Sequence, residues 1–216
     1  MHVLKIGTRP SRLALKQVRE ISKALPSIFF KVVEISTKGD RDKTTPLSQL
    51  EGTDFFTREI EEALIHGWID AAVHSAKDIE SIAPEELALA ATTASVSPYD
   101  CLVSKNGLSL RSLSSGAVIG TSSQKRREAV LKFRKDLAVK DIRGDIDERL
   151  AQLDRGEYDA VIVAHAAMIR LGYEARIAEI ISLDIVQPHP LQGKLAVQVR
   201  RDRRDLIELF GRIDGN

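Results

Sequence analysis

Short apolar runs rich in β-branched residues alternate along the chain with stretches in which apolar residues recur every three or four positions. Runs of the first kind are typical of buried strands, and the longer period is typical of amphipathic helices. The predicted strands are 3–6, 30–35, 71–73, 87–91, 117–119, 137–139 and 160–163. The predicted helices are 12–25, 56–66, 123–133, 147–153 and 204–210. This alternation predicts an α/β fold with largely parallel sheets.

Two segments interrupt the alternation and predict that the chain crosses twice between two lobes. Residues 93–98 are mostly small and polar, and residues 187–193 contain two prolines, which disfavour both a helix and a central strand. The two predicted lobes are residues 1–96 plus 192–216 and residues 97–191. Two α/β lobes joined by a double hinge are expected to enclose a ligand cleft. The polar, aperiodic stretch 36–54 predicts a loop near the mouth of that cleft.

The charge balance argues against several classes of partner. The chain has 32 Lys and Arg residues against 31 Asp and Glu residues, which gives a formal net charge of +1. This balance gives no general reason to expect nucleic acid or an anionic membrane as a partner. No apolar run approaches the ~18 residues that span a bilayer. Because the N-terminal residues also lack the pattern of a secretion signal, we expect a cytoplasmic protein.

The cysteine and histidine content predicts neither a disulfide nor a metal site. Cys101 is the only cysteine, so it cannot form an intrachain disulfide. It lies in the apolar run 101–103, which is typical of a small buried residue. His165 and His189 have no metal-like spacing with other ligands.

Three times, a predicted strand runs into a turn rich in Ser or Thr and then into a segment with basic residues. These junctions are residues 7–12, 74–78 and 120–127. A helix N-terminus presents unpaired N–H groups and the positive end of a dipole, and a nearby Arg or Lys adds a charge-assisted hydrogen bond to a carboxylate or phosphate. Such junctions lie at the carboxyl ends of parallel strands, where α/β proteins bind their ligands. Together they predict a small polyanionic ligand.

Each junction also has an ordinary structural interpretation. Ser and Thr before a helix are most often simple caps, and a basic helix face such as residues 125–127 is usually solvated. Arg143 and Arg149, which flank Gly144 and a predicted helix start, could be salt-bridge partners. The recurrence of the pattern favours a ligand site over three unrelated caps.

Asp78 is a carboxylate at a junction otherwise populated by cations. Beside Lys77 it could simply favour the start of a helix, or it could handle a positively charged substrate atom in an anion-binding site. The local sequence leaves these two roles open. His74, at the end of a predicted strand, is more typical of a packed histidine than of a catalyst.

An ordered set of segments resembles the porphobilinogen deaminase (hydroxymethylbilane synthase) family across essentially the whole chain. The segments are KIGTRPSRLAL, STKGD, FFTREIEEAL, DAAVHSAKDIE, GTSSQKRR, DIRGDIDERL, LDRGEYDAVIVA and LQGKLAV. The resemblance implies two lobes of periplasmic-binding-protein type. It also implies a transferase of tetrapyrrole (heme) biosynthesis, which joins four porphobilinogen units head to tail with loss of ammonia to give hydroxymethylbilane.

The resemblance also implies a role for individual residues. Asp78 matches the family's catalytic aspartate in the motif His-Ser-x-Lys-Asp, next to Lys77. The positions that match binders of the cofactor and substrate carboxylates are Arg9, Ser11, Ser75, Lys77, Ser123, Lys125, Arg126, Arg143 and Arg149. Asp40 matches an acidic position in the loop after the second strand. These residues suit the family's reaction. The acetate and propionate arms of the substrate need cationic binding groups, and the cation left by loss of ammonia needs a carboxylate.

Several features depart from the family pattern. In the family, a third domain carries a cysteine that anchors a dipyrromethane primer through a thioether, and we expect no such domain or attachment site here, because the chain ends at Asn216 and Cys101 does not match that cysteine. A primer would then be held non-covalently or by a separate polypeptide. Lys125 stands where arginine is usual, which keeps the charge but loses bidentate geometry. Family members are generally monomers, so a monomer is expected.

Two other functions remain open at this stage. One is a non-catalytic porphobilinogen- or tetrapyrrole-binding protein that has lost the cofactor domain. The other is a two-lobed binding protein for some other small anion. The presence of Asp78 in a complete Lys-Asp motif favours the enzyme, because binding carboxylate arms does not require a carboxylate.

Overall fold

In the computed structural model, which describes residues 3–42, 45, 54–79 and 84–215, the described strands form two five-stranded sheets. The strands are β1 Val3–Thr8, β2 Phe29–Glu34, β3 Ala71–Ser75, β4 Leu87–Thr92, β5 Asp100–Ser104, β6 Val118–Gly120, β7 Ala138–Lys140, β8 Ala160–Ala164, β9 Glu179–Ile180 and β10 Leu195–Arg200. The α-helices are α1 Arg12–Ala24, α2 Lys38–Arg41, α3 Arg58–Ile65, α4 Gln124–Phe133, α5 Ile146–Arg155, α6 His165–Leu171 and α7 Arg204–Gly211. The α/β class is thereby confirmed.

The first sheet has the strand order β2-β1-β3-β10-β4. Strand β1 pairs in parallel with β2 and β3, whereas β10 is antiparallel to both β3 and β4. On one face, Val18 and Ile21 of α1 and Phe210 of α7 pack into the apolar layer of the sheet. On the other face, Ile60 and Leu64 of α3 form a second apolar layer. Both faces are covered, as is usual for a sheet with parallel strands.

The second sheet repeats this arrangement with the order β7-β6-β8-β5-β9. Strand β6 is parallel to β7 and β8, and β5 is antiparallel to β8 and β9. Val130 of α4 packs with Ile119 and Ile162 on one face. Leu150 of α5 and Met168 of α6 belong to the apolar cluster on the other face.

The chain divides into two compact units, one built on each sheet. Of the described residues, the first unit contains 3–42, 54–79, 84–96 and 193–215, and the second contains Thr45 and 97–192. The boundaries fall between Val96 and Ser97 and between Gln192 and Gly193. That these units act as the two lobes of one ligand-binding protein stays a prediction.

The structure corrects three expectations drawn from the sequence. The sheets are mixed rather than largely parallel, because β5 and β10 run antiparallel to their neighbours. Each of these two strands is the first after a unit boundary. Strands β5, β9 and β10 and helix α6 were not predicted. The stretch 36–54 was expected to be a loop, but residues 38–41 form the helical turn α2. Residues 43–44 and 46–53 of that stretch lie outside the described residues.

Within the ranges the structure describes, no helix combines the length and the apolar character needed to cross a membrane.

The central position of β8 predicts a large difference between two chemically identical substitutions. Ile162 on β8 is fully buried, whereas Ile180 on β9 is 50% exposed. Ile162→Ala is expected to lower the free energy of unfolding by about 2–5 kcal/mol, because it removes buried methylenes and leaves a cavity. Ile180→Ala is expected to change it by less than about 1 kcal/mol. Urea denaturation of both variants measures the difference, and equal effects would contradict the placement of β8 at the centre of its sheet.

Candidate functional site

The junction after β1 combines a helix cap with an arginine held by an acid. Ser11 is the N-cap of α1, and its Oγ accepts a hydrogen bond of 3.2 Å from the Ala14 N–H, so at this position the structural interpretation is realised. Arg9 donates from Nε and Nη2 to Asp40 Oδ1, at 3.0 and 2.5 Å. Its guanidinium also lies 4.4 Å from the centre of the Phe56 ring. Both contacts fix the direction in which the arginine points.

Asp40 is held in place by the short helix α2. Its Oδ2 accepts hydrogen bonds from the N–H and hydroxyl of Thr37, at 2.9 and 2.8 Å, which forms a capping box. Burial acts to raise the pKa of the Asp40 carboxyl, but the hydrogen bonds and charge of Arg9 together with the Thr37 contacts outweigh it, so the pKa is lowered. A Cβ on Gly39 would come within 2.1 Å of the Phe56 ring, so only glycine allows α2 to lie this close.

The junction after β3 places Ser75, Lys77 and Asp78 on a tight turn. Ser75 ends the strand, and its Oγ accepts a hydrogen bond of 2.9 Å from Gln17 Nε2 on α1. Residues Ala76–Asp78 form a 3-10 turn, and the Ala76 N–H donates to the Lys194 carbonyl at 3.0 Å. Lys77 and Asp78 are both partly buried. Within the described ranges the Asp78 carboxylate has neither a hydrogen bond nor an ion pair, unlike Asp40.

His74 is buried on the opposite face of β3 from Ser75. It is 5% exposed, and burial, followed by the positive charge of Arg9, lowers the pKa of its ring to about 4. The side chain of Gln198 on β10 partly opposes this shift. His74 Nε2 and Gln198 Oε1 are both buried, and neither has a partner at hydrogen-bonding geometry among the described residues. His74 is therefore a packed, neutral histidine, as its position on a strand suggested.

The junction after β6 differs from the first, because its serine does not cap its own helix. Ser123 is the N-cap residue of α4, but its side chain makes no capping hydrogen bond. The preceding residue, Ser122, instead bonds through its hydroxyl to the Ile142 backbone. Lys125 is exposed in the first turn of α4, and that turn contains no acidic residue. The start of α4 thus offers a hydroxyl, a cation and N–H groups to an anion.

Arg126 is engaged inside its own unit. Its Nε and Nη2 donate to the two carboxylate oxygens of Asp100 at 3.0 and 2.6 Å, and the two side chains are only 12% and 2% exposed. Gln192 joins the cluster by donating to Asp100 Oδ1 at 2.7 Å and to the carbonyls of Pro98 and Tyr99. The predicted role of Arg126 as a ligand-binding residue stays a prediction, but the structure shows it in a buried ion pair.

The segment after β7 presents Arg143 and Arg149 around a glycine. Gly144 has a φ of +100°, a left-handed conformation that favours glycine, and Arg149 Nε donates to its carbonyl at 2.8 Å. Asp145 caps α5 in a capping box with Glu148. Arg143 lines a shallow depression of about 360 Å³ together with Glu148, Ala151, Gln152 and Arg155.

The structure brings the predicted residues together in two groups, one in each unit. The first unit contains Arg9, Ser11, Asp40, Ser75, Lys77 and Asp78, and the second contains Ser123, Lys125, Arg126, Arg143 and Arg149. In the first unit the parallel pairing of β1 with β3 puts both junctions at one edge of the sheet. In the second unit the parallel pairing of β6 with β7 does the same for the segments that carry Ser123 and Arg143.

Sequence reasoning missed the residues that hold the site in place. Phe56, Gln17, Asp100 and Gln192 contact predicted site residues from distant parts of the chain. Thr37 had a local signal, because Thr-x-x-Asp is the spacing of a capping box. The others depend on tertiary packing that no local pattern contains.

Neither a metal nor a reactive thiol is found in the described part of the chain. No group of three or more His, Cys, Asp and Glu side chains there is arranged to hold a metal ion. Cys101 is buried, and burial together with the nearby Asp100 raises the pKa of its thiol to about 12. This thiol is a packing group at neutral pH.

The buried His74 predicts a specific loss of stability in acid. The unfolded chain binds a proton on this ring near pH 6.5 and the folded chain only near pH 4, so between these values the unfolded state binds more protons. Stability therefore falls as the pH is lowered from 6.5 to 4, by about 3 kcal/mol from this group. Urea unfolding at several pH values should show this difference between the native chain and His74→Phe. Parallel pH dependences in the two proteins would contradict it.

The buried ion pair predicts that two neighbouring cations differ in their effect on stability. Arg126→Ala leaves the Asp100 carboxylate buried without its cation and should lower the free energy of unfolding by about 3–5 kcal/mol. Lys125→Ala, one residue earlier on the exposed face, should change it by less than about 0.5 kcal/mol. Chemical denaturation compares them, and an unchanged stability of Arg126→Ala would show that the arginine is free to serve a ligand instead.

The comparisons with known proteins agree with this arrangement. Residues 4–208 match the family model described as "Porphobilinogen deaminase, dipyromethane cofactor binding domain". A porphobilinogen deaminase from Roseiflexus sp. (strain RS-1) is 40% identical over 215 residues, which is 98% of this chain and 71% of that protein. One from Bacillus subtilis (strain 168) is also 40% identical over 215 residues, 97% of this chain and 68% of that protein.

Solved structures show the same fold at low identity. A periplasmic substrate-binding protein of an ABC transporter from Coxiella burnetii has a TM-score of 0.55 at 17% identity, covering 97% of this chain and 91% of that one. This likeness confirms the periplasmic-binding-protein-type architecture and concerns the fold alone. The family match and the identity over nearly the whole chain go further: the chain belongs to the porphobilinogen deaminase family.

Proposed function

We propose that this chain catalyses the porphobilinogen deaminase reaction, the head-to-tail condensation of porphobilinogen to hydroxymethylbilane in tetrapyrrole biosynthesis. The observation that carries the proposal is the state of Asp78. It is a partly buried carboxylate that has no ion-pair partner within the described ranges, and it stands at a sheet edge where Asp40 is already paired with Arg9. An unpaired acid in this position is suited to a cation that appears only during a reaction.

The chemistry needs one carboxylate and several cations. In each condensation the C–N bond of the aminomethyl group breaks and ammonia leaves. The cationic methylene carbon then bonds to the α-carbon of the next pyrrole, which loses its proton. Asp78 would stabilise the positive charge and accept or return a proton, and Lys77 beside it would bind a substrate carboxylate. Asp40, the other acid predicted at this edge of the sheet, is already engaged with Arg9.

The substrate's acetate and propionate arms are matched by the donors of the first unit. Arg9 is fixed by Asp40 and by the Phe56 ring but is still 27% exposed, so its remaining N–H groups can reach a carboxylate. Ser75 is held by Gln17, which fixes its hydroxyl next to the turn that carries Asp78. Preoriented donors of this kind lower the cost of binding a flexible dianion.

The family's dipyrromethane cofactor fits the donors of the second unit. The hydroxyl of Ser123 is not used to cap α4, and the first turn of that helix contains Lys125 and no acid. Ser123 and Lys125 would hold the carboxylate arms of a dipyrromethane, with Arg143 and Arg149 as further cations after β7. When bound, the cofactor supplies the pyrrole to which the first substrate unit is joined.

Location and assembly are part of the same proposal. We expect the chain to act in the cytoplasm as a monomer on a small molecule, with no nucleic acid or membrane as partner. The net charge of +1 supports the absence of a nucleic-acid partner, because the chain has no overall excess of basic residues.

Replacing Asp78 by its isosteric amide tests the proposal. Asp78→Asn should lower kcat for porphobilinogen consumption by at least about 100-fold, because the amide cannot stabilise the cation. Binding of porphobilinogen should stay within about twofold, since the arms are bound by other groups. The matched control is Asp154→Asn on α5, whose carboxylate pairs only with Arg176 at the surface and which should keep native turnover. Equal turnover by Asp78→Asn and the native chain would refute the assignment.

A further inference from the structure

A short chain of polar side chains crosses the apolar layer between α3 and the first sheet. Glu61 on α3, Gln198 on β10 and His74 on β3 are 8%, 1% and 5% exposed. Gln198 Nε2 donates to Glu61 Oε1 at 3.0 Å, and Gln198 lies on the same face of the sheet as His74, because Gln198 pairs with Ala72 and His74 with Ala196 on the neighbouring strands. Burying three polar side chains costs free energy that an apolar trio would not. Their presence therefore calls for a purpose other than core packing.

The surroundings of this trio are apolar. Ile60, Ala63 and Leu64 of α3 and Ala72 of β3 form the cluster around it, and all four are at most 3% exposed. Three sequence segments that resemble family motifs meet here, namely the start of α3, the end of β3 and strand β10. The trio thus connects elements that are up to 137 residues apart in the chain.

His74 sits where its position matters for the reaction. It is paired with Ala196 of β10 and is followed by Ser75, the last residue of the strand. Ser75 is tied to α1 through Gln17, on the other face of the sheet. The end of β3 is therefore held on both faces, by Ser75 towards α1 and by His74 towards α3. The turn that carries Lys77 and Asp78 begins at the next residue.

Among the described charged groups, Arg9 acts on the ring through its positive charge, and Glu61 lies on the same side of the sheet, where it accepts a hydrogen bond from Gln198. Burial and the charge of Arg9 keep the ring neutral at neutral pH. A ring in this state does not exchange protons with a substrate at neutral pH, and it lies inside the unit rather than on the exposed turn.

We infer that His74 is a positioning residue for Asp78: with Gln198 and Glu61 it fixes the end of β3 and, through it, the 3-10 turn that presents the catalytic carboxylate. This inference rests on the proposed deaminase function and deepens it. The backbone of the turn is held by the hydrogen bonds from the Ala76 N–H to the Lys194 carbonyl and from the Ile79 N–H to the Ala76 carbonyl.

Amide hydrogen exchange tests the positioning without any need for turnover. In His74→Phe and in Gln198→Met, exchange of the Ala76 and Ile79 amides should accelerate at least about tenfold, while the amides of α1 keep their native rates. The matched control is Ile60→Val, which removes one methylene from the same layer and leaves the trio intact, and it should keep native exchange in the turn. Acceleration of the same size in Ile60→Val, or none in His74→Phe, would overturn the inference.

Two substitutions at Glu61 test the same inference without replacing the histidine ring. Glu61→Gln keeps an oxygen that accepts the Gln198 amide and should retain native exchange in the turn. Glu61→Leu removes that acceptor and should behave as Gln198→Met does. Equal exchange in the two Glu61 variants would overturn the inference.

Kinetics with porphobilinogen then separate positioning from general structure. His74→Phe should lower kcat by about 10- to 100-fold with KM within about twofold, because a displaced carboxylate fails in the transition state while the arms still bind. The pH dependence of kcat should keep its shape, and the double variant His74→Phe/Gln198→Met should be no slower than either single variant. Losses of kcat that add up in the double variant would overturn the inference. So would the disappearance of a titration from the pH profile of kcat in His74→Phe. A native chain that consumes no porphobilinogen would refute the proposed function alone, since the exchange experiment still decides the positioning.

Discussion

Parallel pairing of neighbouring strands is the constraint on which the candidate site depends. Because β1 lies in parallel between β2 and β3, the segments that follow β1 and β3 emerge at the same edge of the first sheet. The same holds for β6 and β7 in the second sheet. Side chains that are about 70 residues apart in sequence, such as Arg9 and Asp78, are thereby brought to one edge of one unit. The two antiparallel strands, β10 and β5, pack beside β3 and β8 without disturbing this arrangement.

Two acids near these edges are paired with an arginine of the same unit. Asp40 is paired with Arg9 and Asp100 with Arg126. Such pairs cost desolvation and return it through charge-assisted hydrogen bonds, so their main effect is to fix geometry. Asp78 has no such partner among the described residues. The carboxylate that we propose for the chemistry is therefore one that the described residues leave without an ion pair.

The sequence predicted the periodic elements well and the irregular ones poorly. Strands β1 to β4 and helices α1, α4 and α7 follow clear patterns, and the structure confirms them to within a few residues. Strand β10 was missed because it follows a proline-rich segment. Its apolar run is also interrupted by Gln198, a polar residue that is buried with most of the strand. Helix α6 was missed because it begins directly at the end of β8 and no side chain caps its N-terminus.

For the site, the sequence predicted ligand-binding positions, and these stay predictions, but it did not predict the residues that hold those positions in place. The pairing of Arg9 with Asp40 spans 31 residues and depends on α2 folding back onto Phe56, which local patterns do not encode. Ser11 and Ser123 look alike in sequence, since both come just before a helix. In the structure the side chain of Ser11 caps its helix, whereas that of Ser123 makes no capping hydrogen bond. Tertiary contacts of this kind decide which hydroxyl stays available to a ligand.

We propose that Asp78, a carboxylate without an ion pair among the described residues, supports deamination of a pyrrole substrate at a cation-rich sheet edge. The most direct test is to incubate the native chain with porphobilinogen and to measure ammonia release and porphobilinogen loss in the same samples. The account predicts that ammonia appears in equal amount to the porphobilinogen consumed. Porphobilinogen that binds but is not consumed, or that is lost without release of ammonia, would contradict it.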